Sequence, residues 1–220
     1  MQFKVNAIVS LQDARYCAAQ GVQVLSFAQE RGSHYYLPPE TLGQIIGWLN
    51  LPQAVLDYGL DREGADAAAA APPVALGELN PELELILGIG VPPMPHLATA
   101  APLWLRVVVE TDTGWAAAID TLRAAFVQYE NAPGGGIRGL ELAANFGYSA
   151  RNAALHEALA AAHDLRSVLW LDIDAANDPL EAAQLLRPHL CGLSLRTCVS
   201  HDLHSLDYDA FEALSEALQT

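Results

Sequence analysis

The residues able to do chemistry cluster at the ends of short apolar runs. Read along the chain, the C-terminal ends of these runs present Asn6, Asp57, Glu110, Glu130, Asp172 and Arg196, with His201 and His204 just beyond the last. Several carboxylates meeting at one mouth is the donor set of a divalent cation or a cationic ligand, since hard cations take oxygen ligands. The same acids also serve as solvated loop residues, helix N-caps or partners for arginine, and the sequence leaves both readings open. His201 and His204 stand three apart, yet no third ligand at a clear spacing accompanies them, so no metal is assigned. Cys17, Cys191 and Cys198 show no CxxC spacing; the first two read as small apolar packing residues and the third as a loop residue. The loop around Gly134, Gly135 and Gly136 is either a cover for a ligand or a simple connection.

Elements must bring these ends together. Phe3–Val9, Val22–Phe27, Ala54–Tyr58, Leu83–Leu87, Leu103–Glu110, Phe126–Glu130, Val168–Asp172 and Cys191–Leu195 each read as a buried strand: short, apolar and bounded by polar or turn residues. Helical patterns lie between them. Leu11–Gln20 places Leu11, Ala14 and Ala18 on one face and stops at Gly21; Pro38–Leu49 starts on prolines, where a missing N–H costs nothing. Asp61–Glu82 is helical in parts, Met94–Ala101 forms a short helix, and Trp115–Ala125, the stretch ending near Ala162, Leu180–Leu186 and Tyr208–Leu218 complete the set. Eight strands alternating with seven or eight helices require parallel pairing, because a parallel strand needs a crossover. The predicted fold is α/β, a single (β/α)8 barrel spanning residues 1–220, with catalytic groups at the C-terminal strand ends. An open doubly wound sheet would carry GxGxxG after its first strand; Val9-Ser10-Leu11-Gln12 has no glycine.

Charge narrows the partners. Eleven basic against 26 acidic residues give −15, a surface that repels nucleic-acid phosphates and anionic lipid head groups. No apolar run reaches the length of a membrane span, and MQFKVNAIVSLQDAR does not read as a signal peptide, so a cytoplasmic protein is expected. The expected partner is a small molecule of unknown identity, with no nucleic acid, no membrane and no cofactor; oligomeric state is not legible.

The first third carries a family pattern. Lys4-Val5-Asn6-Ala7-Ile8, Asp13-Ala14-Arg15, Gly21-Val22-Gln23, Ser26-Phe27, Ser33-His34-Tyr35-Tyr36 and Pro38-Pro39-Glu40 keep the order and spacing of the opening of phosphoribosylanthranilate isomerases over about fifty residues, which this chain therefore resembles. Beyond Leu51 the likeness is architectural, with echoes at Gly134-Gly135-Gly136 after strand six and Arg187-Pro188 before strand eight. The resemblance implies a tryptophan-biosynthesis enzyme that performs an Amadori rearrangement with a cysteine base on strand one and an aspartate acid on strand six.

The cysteine position is Asn6, whose carboxamide accepts no proton near neutral pH. The arginine that would pair with the anthranilate carboxylate falls at Tyr35. The acid falls at or beside Glu130, with Tyr129 as the other candidate. The phosphate turns fall at Leu171-Asp172-Ile173 and Ser194-Leu195-Arg196, where Asp172 and nearby Asp174 set negative charge against a dianion. Two unit charges ~4 Å apart at an effective dielectric of ~20 repel by ~4 kcal/mol, about a thousandfold in affinity. Arg196 could offset part of that repulsion. The implied activity is an isomerase reaction weakened or lost. The alternatives are a non-catalytic barrel binding a metabolite or protein, and a different, metal-assisted enzyme using the acidic mouth.

Overall fold

The computed structural model describes residues 1–29, 33, 35–49, 52–58, 84–88, 102–131, 136–144, 146–173, 179–196 and 208–219. Eight strands run β1 (Gln2–Asn6), β2 (Val24–Ala28), β3 (Gln53–Asp57), β4 (Glu84–Gly88), β5 (Leu103–Val109), β6 (Ile137–Ala144), β7 (Leu169–Ile173) and β8 (Gly192–Arg196). Each pairs in parallel with the next in sequence. β8 returns to β1 with Gln2 opposite Gly192 and Asn6 opposite Arg196, which closes the sheet. The described helices are α1 (Leu11–Ala19), α2 (Pro39–Trp48), α3 (Trp115–Tyr129), α4 (Ala153–Ala161), α5 (Pro179–Leu186) and α6 (Tyr208–Gln219), which follow β1, β2, β5, β6, β7 and β8. The helices expected within Asp61–Glu82 and Met94–Ala101 lie outside the described residues. No helix among the described residues is long and apolar enough to cross a membrane.

Local chemistry explains the helix starts. Ser10 is extended (φ −136°, ψ 153°), and its Oγ accepts from the Asp13 N–H at 3.0 Å, satisfying an orphan donor of α1. Asn152 does the same for α4 through the Leu155 N–H at 3.0 Å. Pro38 and Pro39 open α2, where their fixed φ already suits a helix.

Strand alternation divides the core in two. One set of strand side chains, including Val5, Leu25, Leu56, Leu105, Leu142, Leu171 and Leu193, packs outward against Ala14, Ile45, Leu122, Leu159, Leu186 and Phe211 of the helices. The other set faces the barrel axis, where Val24, Val55, Trp104 and Trp170 form a separate apolar cluster. The two indoles lie 5.0 Å apart and tilted by 57°. Each covers a glycine on the following strand: a Cβ at Gly139 would run into Trp104 Cε3, and one at Gly192 would run into Trp170 Cζ3. A register shift between Leu103 and Trp104 brings Gly139, rather than Arg138, opposite Trp104.

Strand six differs from expectation. Phe126–Glu130 is not a strand; it completes α3, and β6 begins at Ile137. Trp115, Ala118, Ile119 and Leu122 are buried, Ala125, Phe126 and Tyr129 pack on the same core, and Val127 is 68 % exposed. That is a helical stripe continued by one turn, and it overrides the short apolar run. Gly136 therefore precedes β6 instead of following it. Its φ is +71°, and any Cβ there would collide with the Glu130 carbonyl oxygen, which marks a tight turn at the N-terminal end of the barrel. The other boundaries agree to within one residue for most elements, and the expected β1 ends three residues early, at Asn6.

Candidate functional site

Polar residues on inward-facing positions of the strands form one buried network. Lys4, Asn6, Ser26, Asp57, Arg106, Glu141, Asp172 and Ser194 are each 3 % exposed or less. Glu141, midway along β6, is the hub. Its Oε1 accepts from Lys4 Nζ at 2.7 Å and from Asn6 Nδ2 at 3.2 Å, while its Oε2 accepts from Arg106 Nε at 2.7 Å. The Arg106 guanidinium then spans to β3, with Nη1 3.0 Å from Asp57 Oδ1 and 2.8 Å from Oδ2. Ser26 Oγ donates to the same carboxylate at 3.2 Å. The Lys4 ammonium also lies 4.9 Å from the Trp104 ring centroid, a cation–π contact on the apolar floor.

Electrostatics follow from this packing. Burial alone would raise the Glu141 pKa, but the Arg106 guanidinium and the Lys4 ammonium outweigh it and hold the carboxyl well below the usual carboxylate range. Glu141 is thus an anion at any working pH and a poor proton acceptor. Burial pushes the Lys4 ammonium down from its ordinary value against the pull of Glu141. Arg106, between Asp57 and Glu141, is held firmly charged despite its burial.

At the C-terminal end of β1, the Asn6 carboxamide is fixed as a donor: Nδ2 reaches Glu141 Oε1 and, at 3.4 Å, Asp172 Oδ1. Asn6 Oδ1 has no hydrogen-bond partner among the described residues, although Asn6 is fully buried. The next residue, Ala7, has φ +60°, the only non-glycine residue in the left-handed region among the described residues. Tyr148, beyond β6, donates its hydroxyl to the Asp172 carbonyl at 2.8 Å and packs edge-on against Trp115 at 5.0 Å, tying that segment to the top of β7.

The expected site residues divide accordingly. Asn6, Asp57 and Asp172 come together through Arg106 and Glu141. Glu110 follows β5 and is exposed. Glu130 is exposed at the C-terminal cap of α3, at the opposite end of the barrel from the strand C-termini, so it is no strand-six acid; nor is half-buried Tyr129, within the helix. The one carboxylate on β6 is Glu141, and the strand ends in Ala143-Ala144. Tyr35 is half-buried, and its backbone N–H donates to Ser33 Oγ at 3.1 Å. Arg196 ends β8 opposite Asn6 in register. Cys198, His201, His204 and Asp174 lie outside the described residues, as do Gly134 and Gly135. Cys17 is fully buried, its thiol pushed up to about 12 chiefly by burial, which makes it an inert packing residue. Cys191 is half-buried against the axial cluster. No group of three or more His, Cys, Asp or Glu able to hold a metal occurs among the described residues. Asp57 and Glu141 hold cationic side chains instead.

Sequence reasoning missed Lys4, Arg106 and Glu141. Their signal was present: a charged residue at an inward step of an apolar strand, as in Leu103–Val109, where Arg106 interrupts six apolar neighbours.

The fold matches solved barrels over its whole length. The phosphoribosylanthranilate isomerase of Thermus thermophilus shares 20 % identity and a TM-score of 0.63, covering 100 % of this chain and 98 % of that one. The same enzyme from Thermotoga maritima shares 13 % identity with a TM-score of 0.65 and the same coverage. A thiamine phosphate pyrophosphorylase from Pyrococcus furiosus, at 14 % identity, has a TM-score of 0.55 over 99 % of this chain and 95 % of its own. No protein-family model matches the sequence, and no curated protein does. At these identities the likeness is one of fold, and the scaffold hosts more than one chemistry.

Proposed function

We propose that this chain is a (β/α)8 barrel of the phosphoribosylanthranilate isomerase kind in which the isomerase reaction is weak or lost, leaving a mouth that binds a small molecule. Asn6 carries the reading. Where the resemblance puts a proton-abstracting thiol, the chain has a carboxamide already committed as donor to Glu141 and Asp172. It cannot take a proton, and the adjacent Glu141 is held ionised by two cations, too weak a base to replace a thiolate.

The position of Asp172 also supports the reading. Its buried carboxylate stands at the end of β7, where a phosphate dianion would need N–H donors. The net charge of −15 likewise favours a small-molecule partner over nucleic acid. The test is turnover of phosphoribosylanthranilate, followed by loss of its fluorescence. A positioned general base contributes ~10²–10⁴ in rate. The purified protein should therefore run at least ~100-fold below the ~10 s⁻¹ of an ordinary enzyme. Turnover at that ordinary rate refutes the reading.

A further inference from the structure

We propose that the barrel interior holds one ordered water molecule beside Glu141, hydrogen-bonded to Asn6, Arg106 and Ser194. Six buried side-chain polar atoms lack a hydrogen-bond partner among the described residues, and three of them surround this one carboxylate: Asn6 Oδ1, Arg106 Nη2 and Ser194 Oγ. Asn6 reaches Glu141 Oε1 through Nδ2 at 3.2 Å, which leaves the amide oxygen on the other arm of the same group. Arg106 Nη2 stands 2.6 Å from Glu141 Oε2 as an ion pair, but no N–H of it is aligned on an acceptor. Ser194 Oγ lies beside the same carboxylate and helps to hold its pKa low, without the alignment of a full hydrogen bond. All three side chains are 2 % exposed or less. A buried polar atom left unpaired is costly enough that most are paired, with protein or with ordered water.

The chemistry of the three atoms selects water. Oδ1 only accepts, Nη2 only donates, and a hydroxyl does either. Water donates twice and accepts twice, so a single molecule answers all three, and about three bonds is what a buried water usually makes. An anion at this point would meet Glu141 and Asp172, and a cation would meet Arg106 and Lys4, whereas water adds no charge to the interior. Ser194 leaves the room. Its register neighbours are Lys4 on β1 and Asp172 on β7, both with longer side chains, so β8 contributes a short arm to this layer. Ser26, the other short polar residue of the network, already gives its hydroxyl to Asp57. Such a water sits in the protein whether or not the mouth turns over phosphoribosylanthranilate, so the turnover assay does not bear on it.

A high-resolution crystal structure of the full chain tests this directly. A single-oxygen density peak is expected at ~2.7–3.2 Å from Asn6 Oδ1, Arg106 Nη2 and Ser194 Oγ together. A dry site, a peak that reaches fewer than all three atoms, or density larger than one oxygen, which would mark a bound solute, each overturns it. ¹⁷O magnetic relaxation dispersion gives an independent reading in solution, because it counts water molecules that leave the protein slowly. Ser194→Val removes the hydroxyl and fills its space with a methyl group, so the count is expected to fall by one from wild type. Equal counts in the two proteins reject the assignment. If Ser194→Val does not fold, the wild-type density decides alone.

Discussion

Glu141→Gln removes the one charge on which the barrel interior turns while keeping its shape. In the wild type Glu141 receives Lys4 at 2.7 Å and Arg106 through both Nε, at 2.7 Å, and Nη2, at 2.6 Å, with every partner buried. Glutamine offers one uncharged oxygen and turns an NH₂ donor toward one of the two cations. Arg106 retains Asp57, but the Lys4 ammonium loses its hydrogen-bonded carboxylate. Breaking a buried pair from one side costs ~3–5 kcal/mol, against a total stability of ~5–15 kcal/mol for a typical domain. For a chain of this size the midpoint should fall by roughly 6–20 °C, at ~2–4 °C per kcal/mol. Lys4→Met breaks the same pair from the other side and leaves the buried carboxylates to Arg106 alone, so a loss of the same order is expected even though the methionine keeps the contact with Trp104. Arg123→Ala, which removes exposed pairs with Asp120 and Asp164, sets the surface baseline at under ~1 kcal/mol. Urea unfolding followed by far-UV circular dichroism measures all three, provided the slope with denaturant is unchanged. The reasoning fails if either Glu141→Gln or Lys4→Met costs no more than Arg123→Ala.

Three further outcomes follow from the same structure. Because the folded carboxyl of Glu141 lies below its unfolded value, its contribution is complete above about pH 4.3 and is lost as pH falls towards the folded value. Wild-type stability should therefore drop more steeply below about pH 4 than that of Glu141→Gln, and parallel curves would contradict the assignment. Gly139→Ala drives a methyl into Trp104, whose ring is hemmed in by Trp170 and Lys4; a loss of ~1–3 kcal/mol with altered tryptophan fluorescence is expected, and a loss under ~0.5 kcal/mol would show that the ring is free to move. Gly136→Ala, at φ +71° and against the Glu130 carbonyl, should cost more than ~1 kcal/mol, whereas Gly47→Ala, in α2 with nothing within 4 Å, should stabilise by ~0.5–1 kcal/mol; melts giving the two the same sign would refute the turn.

The parallel order of the strands was legible because each outward face is apolar and each helix keeps its own period. That Asn6, Asp57 and Asp172 would come together was legible for a simpler reason: they lie at the ends of strands, and the C-terminal ends of a parallel barrel converge. The failure at strand six has a physical cause. Phe126, Val127 and Tyr129 look like a strand in isolation, but Phe126 and Tyr129 extend the stripe begun at Trp115 and Leu122. The true strand, Ile137–Ala144, hides behind Arg138, Gly139 and Glu141, residues that stop any search for an apolar run. Those interruptions have reasons visible only in three dimensions: Gly139 makes room for the Trp104 ring, and Glu141 answers Lys4 and Arg106, which lie 137 and 35 residues away in the chain. In a closed parallel barrel a strand can be apolar on its helix side and ionic on the side that faces the axis. A polar or charged residue at every second step of an otherwise apolar strand is therefore the pattern to seek, and here it leads from Lys4 to Asn6 on a single strand. Lys4 fixes the hub from below, and the hub fixes the Asn6 amide as a donor at the end of β1.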